Sequence, residues 1–108
     1  MSAMNMNSEQ FENQVRHGSE PVLVEFWAPW CVYCRRITPA LTKVASQYAD
    51  SLTVGQVNID EEPDIARKER IEVVPTLVLY QNGEALGSLV APESKARIEE
   101  FLEDTLGI

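Results

Sequence analysis

WAPWCVYCRR, residues 27–36, is the stretch around which this sequence is organised, and it holds both cysteines of the chain, Cys31 and Cys34. The apolar run that leads into it, residues 21–27, is typical of a strand covered on both faces. The apolar spacing that follows, in residues 37–48, predicts an amphipathic helix. The two sulfurs are therefore expected at a strand-to-helix junction. The unpaired N–H groups and partial positive charge of a helix start favour a thiolate, which is the reactive form of cysteine.

This stretch resembles the active-site segment of the thioredoxin family. A bare Cys-x-x-Cys motif also serves zinc sites, so the resemblance depends on the flanking residues, Phe-Trp-Ala-x-Trp-Cys at residues 26–31. Two further blocks match the family, Val-Asn-Ile-Asp at residues 57–60 and Val-Pro-Thr at residues 74–76. With them the resemblance covers nearly the whole chain. It implies the thioredoxin fold, an α/β fold with a mixed central sheet of four or five strands flanked by four helices.

The helix and strand patterns along the chain agree with that fold class. The predicted elements are a helix over residues 8–17, a strand over 22–27, a helix from about 31 to 48, a strand over 52–59, a helix starting at 63, strands over 76–80 and 84–90, and a helix over 94–106. Ser8 and Ser94 are the predicted N-caps of the first and last helices. Asn82-Gly83 predicts a hairpin turn, since both residues tolerate positive φ. Pro39 lies inside the second helix and is expected to bend it.

The composition indicates one acidic domain. The 108 residues are 44% hydrophobic, enough for a core, so we expect a single domain over residues 1–108, with residues 1–7 forming a flexible tail or a short edge strand. The net charge of −8 argues against a nucleic-acid partner, because such binding draws on Lys and Arg. No signal-peptide pattern or membrane-length apolar run is visible, so we expect a cytoplasmic monomer without a membrane partner. A reducing cytosol disfavours a permanent disulfide and favours a transient, catalytic one.

Glu25 interrupts the apolar strand that precedes the cysteines. Two interpretations follow from the sequence: the carboxylate lies near the strand end and reaches water, or it is a buried proton acceptor beside the cysteines. The resemblance favours the second, since thioredoxins carry a buried Asp at this position. They usually place a Lys at the position of Gln56, close to that acid. Because Gln cannot neutralise Glu25, we expect the pKa of Glu25 to be raised further than in a Lys-containing relative.

The chemistry expected of the cysteine pair is thiol–disulfide exchange, because two sulfurs at this spacing can close a small disulfide ring and reopen it. The resemblance implies that Cys31 is the exposed nucleophile, that Cys34 resolves the mixed disulfide, and that Glu25 accepts the proton of Cys34. It also implies disulfide-containing client proteins and a thioredoxin reductase as partners. NADPH and FAD would then belong to the reductase, and the chain itself would bind no cofactor and no metal beyond its redox-active disulfide.

A docking groove for clients is expected around the reactive sulfur. Its predicted residues are Trp30, Val32, Tyr33, Val74, Pro75 and Ala91. The resemblance implies a cis bond before Pro75, so that the main chain of Val74 faces an incoming peptide. Thioredoxins usually have Gly where this chain has Ala91, which suggests a stiffer rim. They typically have Gly-Pro where it has Val32-Tyr33, and we expect a less reducing potential in consequence.

Four other functions are weighed against a protein-disulfide reductase. A structural zinc site needs four ligands, and the chain offers two cysteines and one distant histidine, His17. A non-catalytic binding module is disfavoured because both cysteines are present. A glutaredoxin role is suggested only by the Tyr before the second cysteine. A more oxidising disulfide oxidase or isomerase stays open because of the Val-Tyr pair.

Overall fold

A computed structural model describes residues 3–108 of the chain and shows one mixed sheet of five strands. The strands are β1 (Met4–Asn5), β2 (Val22–Trp27), β3 (Thr53–Asn58), β4 (Thr76–Gln81) and β5 (Glu84–Val90). They lie in the order β1-β3-β2-β4-β5, with β1, β3 and β2 parallel and with β4 antiparallel to both β2 and β5. The predicted fold class is confirmed. Of the two alternatives for the N-terminal segment, the edge strand is present, whereas residues 1 and 2 lie outside the described residues.

Helices cover both faces of this sheet, as the sequence predicts. They are α1 (Ser8–Phe11), continued by a π-helical turn (Glu12–Arg16), then α2 (Val32–Gln47), α3 (Pro63–Lys68) and α4 (Lys95–Leu106). Buried residues of α2 and α4 pack on one face, where Leu23 of β2 contributes to the core. Buried residues of α1, the π-helical turn and α3 pack on the other face against Val24 and Phe26 of β2. The apolar run at residues 21–27 is explained by this two-sided cover.

The central strand β2 determines where Glu25 lies. Side chains alternate between the two faces of a strand, so Glu25 shares the face of Leu23, which α2 covers. Its neighbours across the sheet are Gln56 on β3 and Leu77 on β4. Glu25 therefore lies in the middle of the sheet and beneath the helix that carries the cysteine pair.

The start of the first helix differs from the prediction. Ser8 is its first residue, and the N-cap is Asn7, whose side-chain oxygen accepts from the Gln10 amide at 2.9 Å while Gln10 Oε1 accepts from the Asn7 amide at 3.0 Å. The Ser8 N-cap prediction is therefore wrong, because Asn7 offers the reciprocal pair that Ser8 does not. The Ser8 hydroxyl instead donates to Glu62 Oε1 at 2.5 Å.

The turn and cap signals of the C-terminal half hold. Asn82 and Gly83 have φ of 54° and 79°, and a type I′ hairpin turn requires positive φ at both of these positions. The Ser94 hydroxyl accepts from the Arg97 amide at 3.1 Å and caps α4. Pro39 lies inside α2, as predicted.

Helix α3 ends in a left-handed residue that is not glycine. Arg70 has a φ of 57°. Its amide donates to the Arg67 carbonyl at 3.2 Å, and the next amide, of Ile71, donates to the Ala66 carbonyl at 2.9 Å. These are the two hydrogen bonds of a Schellman motif, whose left-handed position is usually Gly because a Cβ is strained there.

Candidate active site

The two cysteines lie at the N-terminus of α2 and are joined as a disulfide, with their Cα atoms 5.3 Å apart. Cys31 is the N-cap residue, and its Sγ accepts a hydrogen bond from the Cys34 amide at 3.1 Å. Cys31 is 7% exposed and Cys34 only 2%. Cys31 is thus the more accessible residue of the pair, and its Sγ receives both an amide hydrogen and the positive end of the helix dipole.

An apolar wall surrounds the disulfide. Ala28 is fully buried against both sulfurs, and four half-buried side chains complete the packing: Trp27, Tyr33, Ile59 and Val74. The bond between Val74 and Pro75 is cis, as the resemblance implied, and Pro75 is buried. This wall surrounds the cysteine pair with mostly apolar side chains.

The outer face of the same region is apolar and exposed. Trp30 is 63% exposed and Val32 is 55% exposed, on the solvent side of the helix start. The indole Nε1 of Trp30 lies 3.4 Å from Asp60 Oδ1, a long hydrogen bond that holds the ring beside the strand β3 exit. Large apolar groups in this position form an accessible surface next to the more exposed sulfur.

The loop between β5 and α4 is hydrogen-bonded to two residues beside the disulfide, Pro75 and Tyr33. Ala91, the predicted rim residue, is half-buried and has a φ of 45°. This left-handed conformation costs an L-residue roughly 1–2 kcal/mol. Its amide donates to the Pro75 carbonyl at 2.9 Å, so the loop is joined directly to the segment that carries the cis bond.

Tyr33 occupies a position that the sequence does not reveal. Its ring is half-buried, and its hydroxyl donates to the Pro92 carbonyl at 3.0 Å. The hydroxyl is therefore engaged within the protein, and the contact of the Tyr33 ring with clients stays a prediction. Nothing in the local pattern around Cys31 and Cys34 signals this contact, because Pro92 lies 59 residues further along the chain.

Glu25 is fully buried in β2, with an exposure of 0%. The alternative in which it reaches water at the strand end is therefore wrong. Gln56 Nε2 donates to Glu25 Oε1 at 2.8 Å, while Glu25 Oε2 is buried without a hydrogen-bond partner. Burial raises the pKa of Glu25 to about 7, and the Gln56 hydrogen bond opposes that rise. The direction of this shift agrees with the sequence analysis, and the comparison with a Lys-containing relative stays a prediction.

A cleft of about 270 Å³ brings Glu25 together with Cys34. Its other lining residues are Asn5, Trp27, Arg35, Thr38 and Gln56. A polar cleft of this volume has room for water molecules. Thr38, which the sequence interpretation missed, donates its hydroxyl to the Cys34 carbonyl at 3.1 Å. The four-residue spacing of Cys34 and Thr38 on one helix face was a signal that could have found it.

Residues 3–108 contain neither a candidate metal site nor a candidate membrane span. No group of three or more His, Cys, Asp and Glu side chains in this part of the chain is placed to hold a metal ion. None of its helices combines the length and the apolar character needed to cross a membrane.

Comparisons with known proteins agree with this geometry. The thioredoxin family model matches residues 2–104. The chain is 41% identical over 101 residues, 94% of each protein, to the thioredoxin of Acidithiobacillus ferridurans. It is 38% identical over 96 residues to thioredoxin 1 of Synechococcus elongatus, covering 89% of this chain and 90% of the relative. It is 37% identical over 101 residues to the chloroplastic M-type thioredoxin of Chlamydomonas reinhardtii, covering 94% of this chain and 72% of the relative.

Proposed function

The chain belongs to the thioredoxin family and is a thiol–disulfide oxidoreductase, and we propose that it reduces client disulfides with Cys31 as nucleophile and Cys34 as resolving thiol. The observation that carries this assignment is the helix start. Cys31 caps α2 and receives the Cys34 amide, whereas Cys34 is the more buried sulfur and lies on the cleft with Glu25. A stabilised, accessible thiolate suits attack, and a deeper thiol suits resolution.

The proposed cycle moves two electrons to the client. The Cys31 thiolate attacks one client sulfur, an S–S bond forms between them, and the client disulfide breaks with its second sulfur leaving as a thiolate that takes a proton from water. The Cys34 thiol then loses its proton and attacks Cys31 Sγ. The bond between Cys31 and the client breaks, and the client sulfur leaves as a thiolate that takes a proton from water, so that the client is a dithiol and the Cys31–Cys34 disulfide remains.

Glu25 is the proposed acceptor of the Cys34 proton, directly or through water in the cleft. The shared cleft supports this role, since Glu25 and Cys34 both line it, and burial raises the pKa of Glu25 to about 7. A general base works best when its pKa is close to the operating pH. Glu25 Oε2, which has no partner among the described residues, is the oxygen available for the proton.

Client docking is proposed at the apolar surface beside Cys31. Trp30 and Val32 supply exposed apolar area. Val74 makes no hydrogen bond with the rest of residues 3–108, so its main chain is available to pair with an extended client segment. Recognition through the main chain accepts many client sequences, as a general reductase requires.

The reduced state is proposed to be regenerated by a thioredoxin reductase that carries FAD and uses NADPH. We further propose that the protein acts as a monomer, as one domain, in the cytoplasm. Sedimentation of the purified protein tests the oligomeric state, and cell fractionation tests the compartment. Reduction of the Cys31–Cys34 disulfide by a purified NADPH-dependent thioredoxin reductase tests the electron source.

The roles of the two cysteines are tested by trapping. Cys34→Ser should accumulate mixed disulfides with insulin, because Cys31 can attack but nothing resolves the product. Cys31→Ser is the matched control and should trap far less. Non-reducing gels followed by mass spectrometry identify the linked cysteine. Equal trapping by both variants, or none by Cys34→Ser, would show that the roles are assigned wrongly.

A further inference from the structure

The loop between β5 and α4 is held in place by contacts from outside it. This rim loop, residues 91–93, starts with Ala91 in a left-handed conformation, at a φ of 45°. An L-residue rarely stays in that conformation unless its surroundings fix it. The next residue, Pro92, is buried and has no N–H to donate. The loop therefore depends on the hydrogen bonds that reach it from neighbouring segments.

Two hydrogen bonds meet this need, and both come from segments that surround the disulfide. The Ala91 amide donates to the Pro75 carbonyl at 2.9 Å, and the Tyr33 hydroxyl donates to the Pro92 carbonyl at 3.0 Å. Tyr33 lies between the two cysteines in sequence, so one phenol spans from the first turn of α2 to the rim loop. Its ring packs against both the disulfide cluster and the core cluster that contains α4.

We infer that Tyr33 is a positioning residue for client recognition, which it performs by holding the rim loop at a fixed distance from the reactive sulfur. The inference rests on the proposed function, because it assumes that clients dock between Val74 and the rim loop. Tyr33 does not offer its hydroxyl to the client, since Pro92 already takes it. The specificity of the groove then depends on Tyr33, a residue inside the Cys-x-x-Cys motif, which acts on clients through the rim loop.

The test is Tyr33→Phe, which removes the hydroxyl and keeps the ring. The rate at which fully reduced protein reduces insulin in a single turnover is compared with the rate at which it reduces dithiobis(nitrobenzoate). The second substrate is a small disulfide that is too short to span the groove. The ratio of the insulin rate to the dithiobis(nitrobenzoate) rate should decrease by about twofold to tenfold relative to the wild type. This is the range that corresponds to the loss of one net hydrogen bond. The slower reduction of insulin should appear as a higher insulin concentration at half-saturation. The reduction potential should stay that of the wild type, because the backbone N–H groups at the helix start are unchanged.

Tyr48→Phe is the matched control. It removes a phenol hydroxyl at the other end of α2, where Tyr48 Oη lies 3.5 Å from Glu99 Oε2, and it should leave the rate ratio unchanged. A second readout needs no turnover: hydrogen exchange at the Ala91 amide, which donates to the Pro75 carbonyl, should become faster in Tyr33→Phe and not in Tyr48→Phe.

An unchanged rate ratio, or an equal loss with both disulfides, would overturn the inference, because Tyr33 would then act at the sulfurs or not at all. Unchanged exchange in the rim loop would overturn it as well. Failure of the wild type to reduce insulin would instead count against the proposed function, and the exchange rates would still decide whether Tyr33 holds the loop.

Discussion

Glu25 should dominate the way in which the stability of the oxidised protein depends on pH. Its pKa is about 7 in the folded protein against an ordinary 4.5. Between these pH values the folded state keeps a proton that the unfolded chain has released. The contribution to stability is therefore fully present below pH 4.5 and is lost as pH rises through 7. At about 1.36 kcal/mol per pH unit, the interval corresponds to a loss of about 3 kcal/mol in the free energy of unfolding.

Glu25→Gln should remove this loss. Glutamine carries no charge and retains an oxygen that can accept from Gln56. We expect the variant to be about 3 kcal/mol more stable than the wild type at pH 8 and to converge with it in acid. Urea unfolding of the oxidised proteins between pH 4 and 9, followed by tryptophan fluorescence, measures the difference. Glu84→Gln, a change at an exposed glutamate of β5, is the control and should parallel the wild type. Parallel curves for Glu25→Gln and the wild type would refute the reasoning.

Three further changes test other parts of the structure. Gln56→Lys should lower the pKa of Glu25 below about 7 by placing an ammonium beside it, and an unchanged midpoint in an NMR titration would contradict this. Arg70→Gly should raise the free energy of unfolding by about 1 kcal/mol by removing a strained Cβ; an equal gain in Arg70→Ala, which keeps the Cβ, would assign the effect to charge instead. Combining Val32→Gly with Tyr33→Pro should lower the reduction potential by on the order of 30 mV, a tenfold change in the exchange equilibrium, because a backbone N–H is lost at the helix start. An equal or higher potential in a redox-buffer titration would count against the Val-Tyr hypothesis.

The fold was predictable from the sequence because its signals are local. Asn82-Gly83 marks its own turn, Ser94 marks its own helix start, and the apolar run of β2, interrupted only by Glu25, indicates a strand that is covered on both faces. The first helix shows the limit of such signals. Asn7 and Ser8 are both good N-cap residues, and the choice between them depends on whether Gln10 can bond back to the cap.

The site was predictable only where its members are close in sequence or match the family. The cysteine pair and its helix start follow from a single stretch of ten residues. The partner of the Tyr33 hydroxyl does not, because Pro92 is brought to it by the packing of α4 against α2. The contribution of Asn5 to the cleft likewise depends on the register of β1 against β3, which two residues are too few to reveal.

The edge strand β1 has a practical consequence for anyone who attaches a tag to this protein. Asn5 forms part of the wall around Glu25, and the neighbouring Met6 is buried against Gly55 in the next strand. A bulky fusion immediately before β1 would disturb the cleft that Asn5 and Glu25 line. At the other end, Gly107 closes α4, and among residues 3–108 no heavy atom beyond its chain neighbours lies within 4 Å of the position where a Cβ would sit. Labels, affinity handles and surface linkers therefore belong after α4, where they leave the redox site undisturbed.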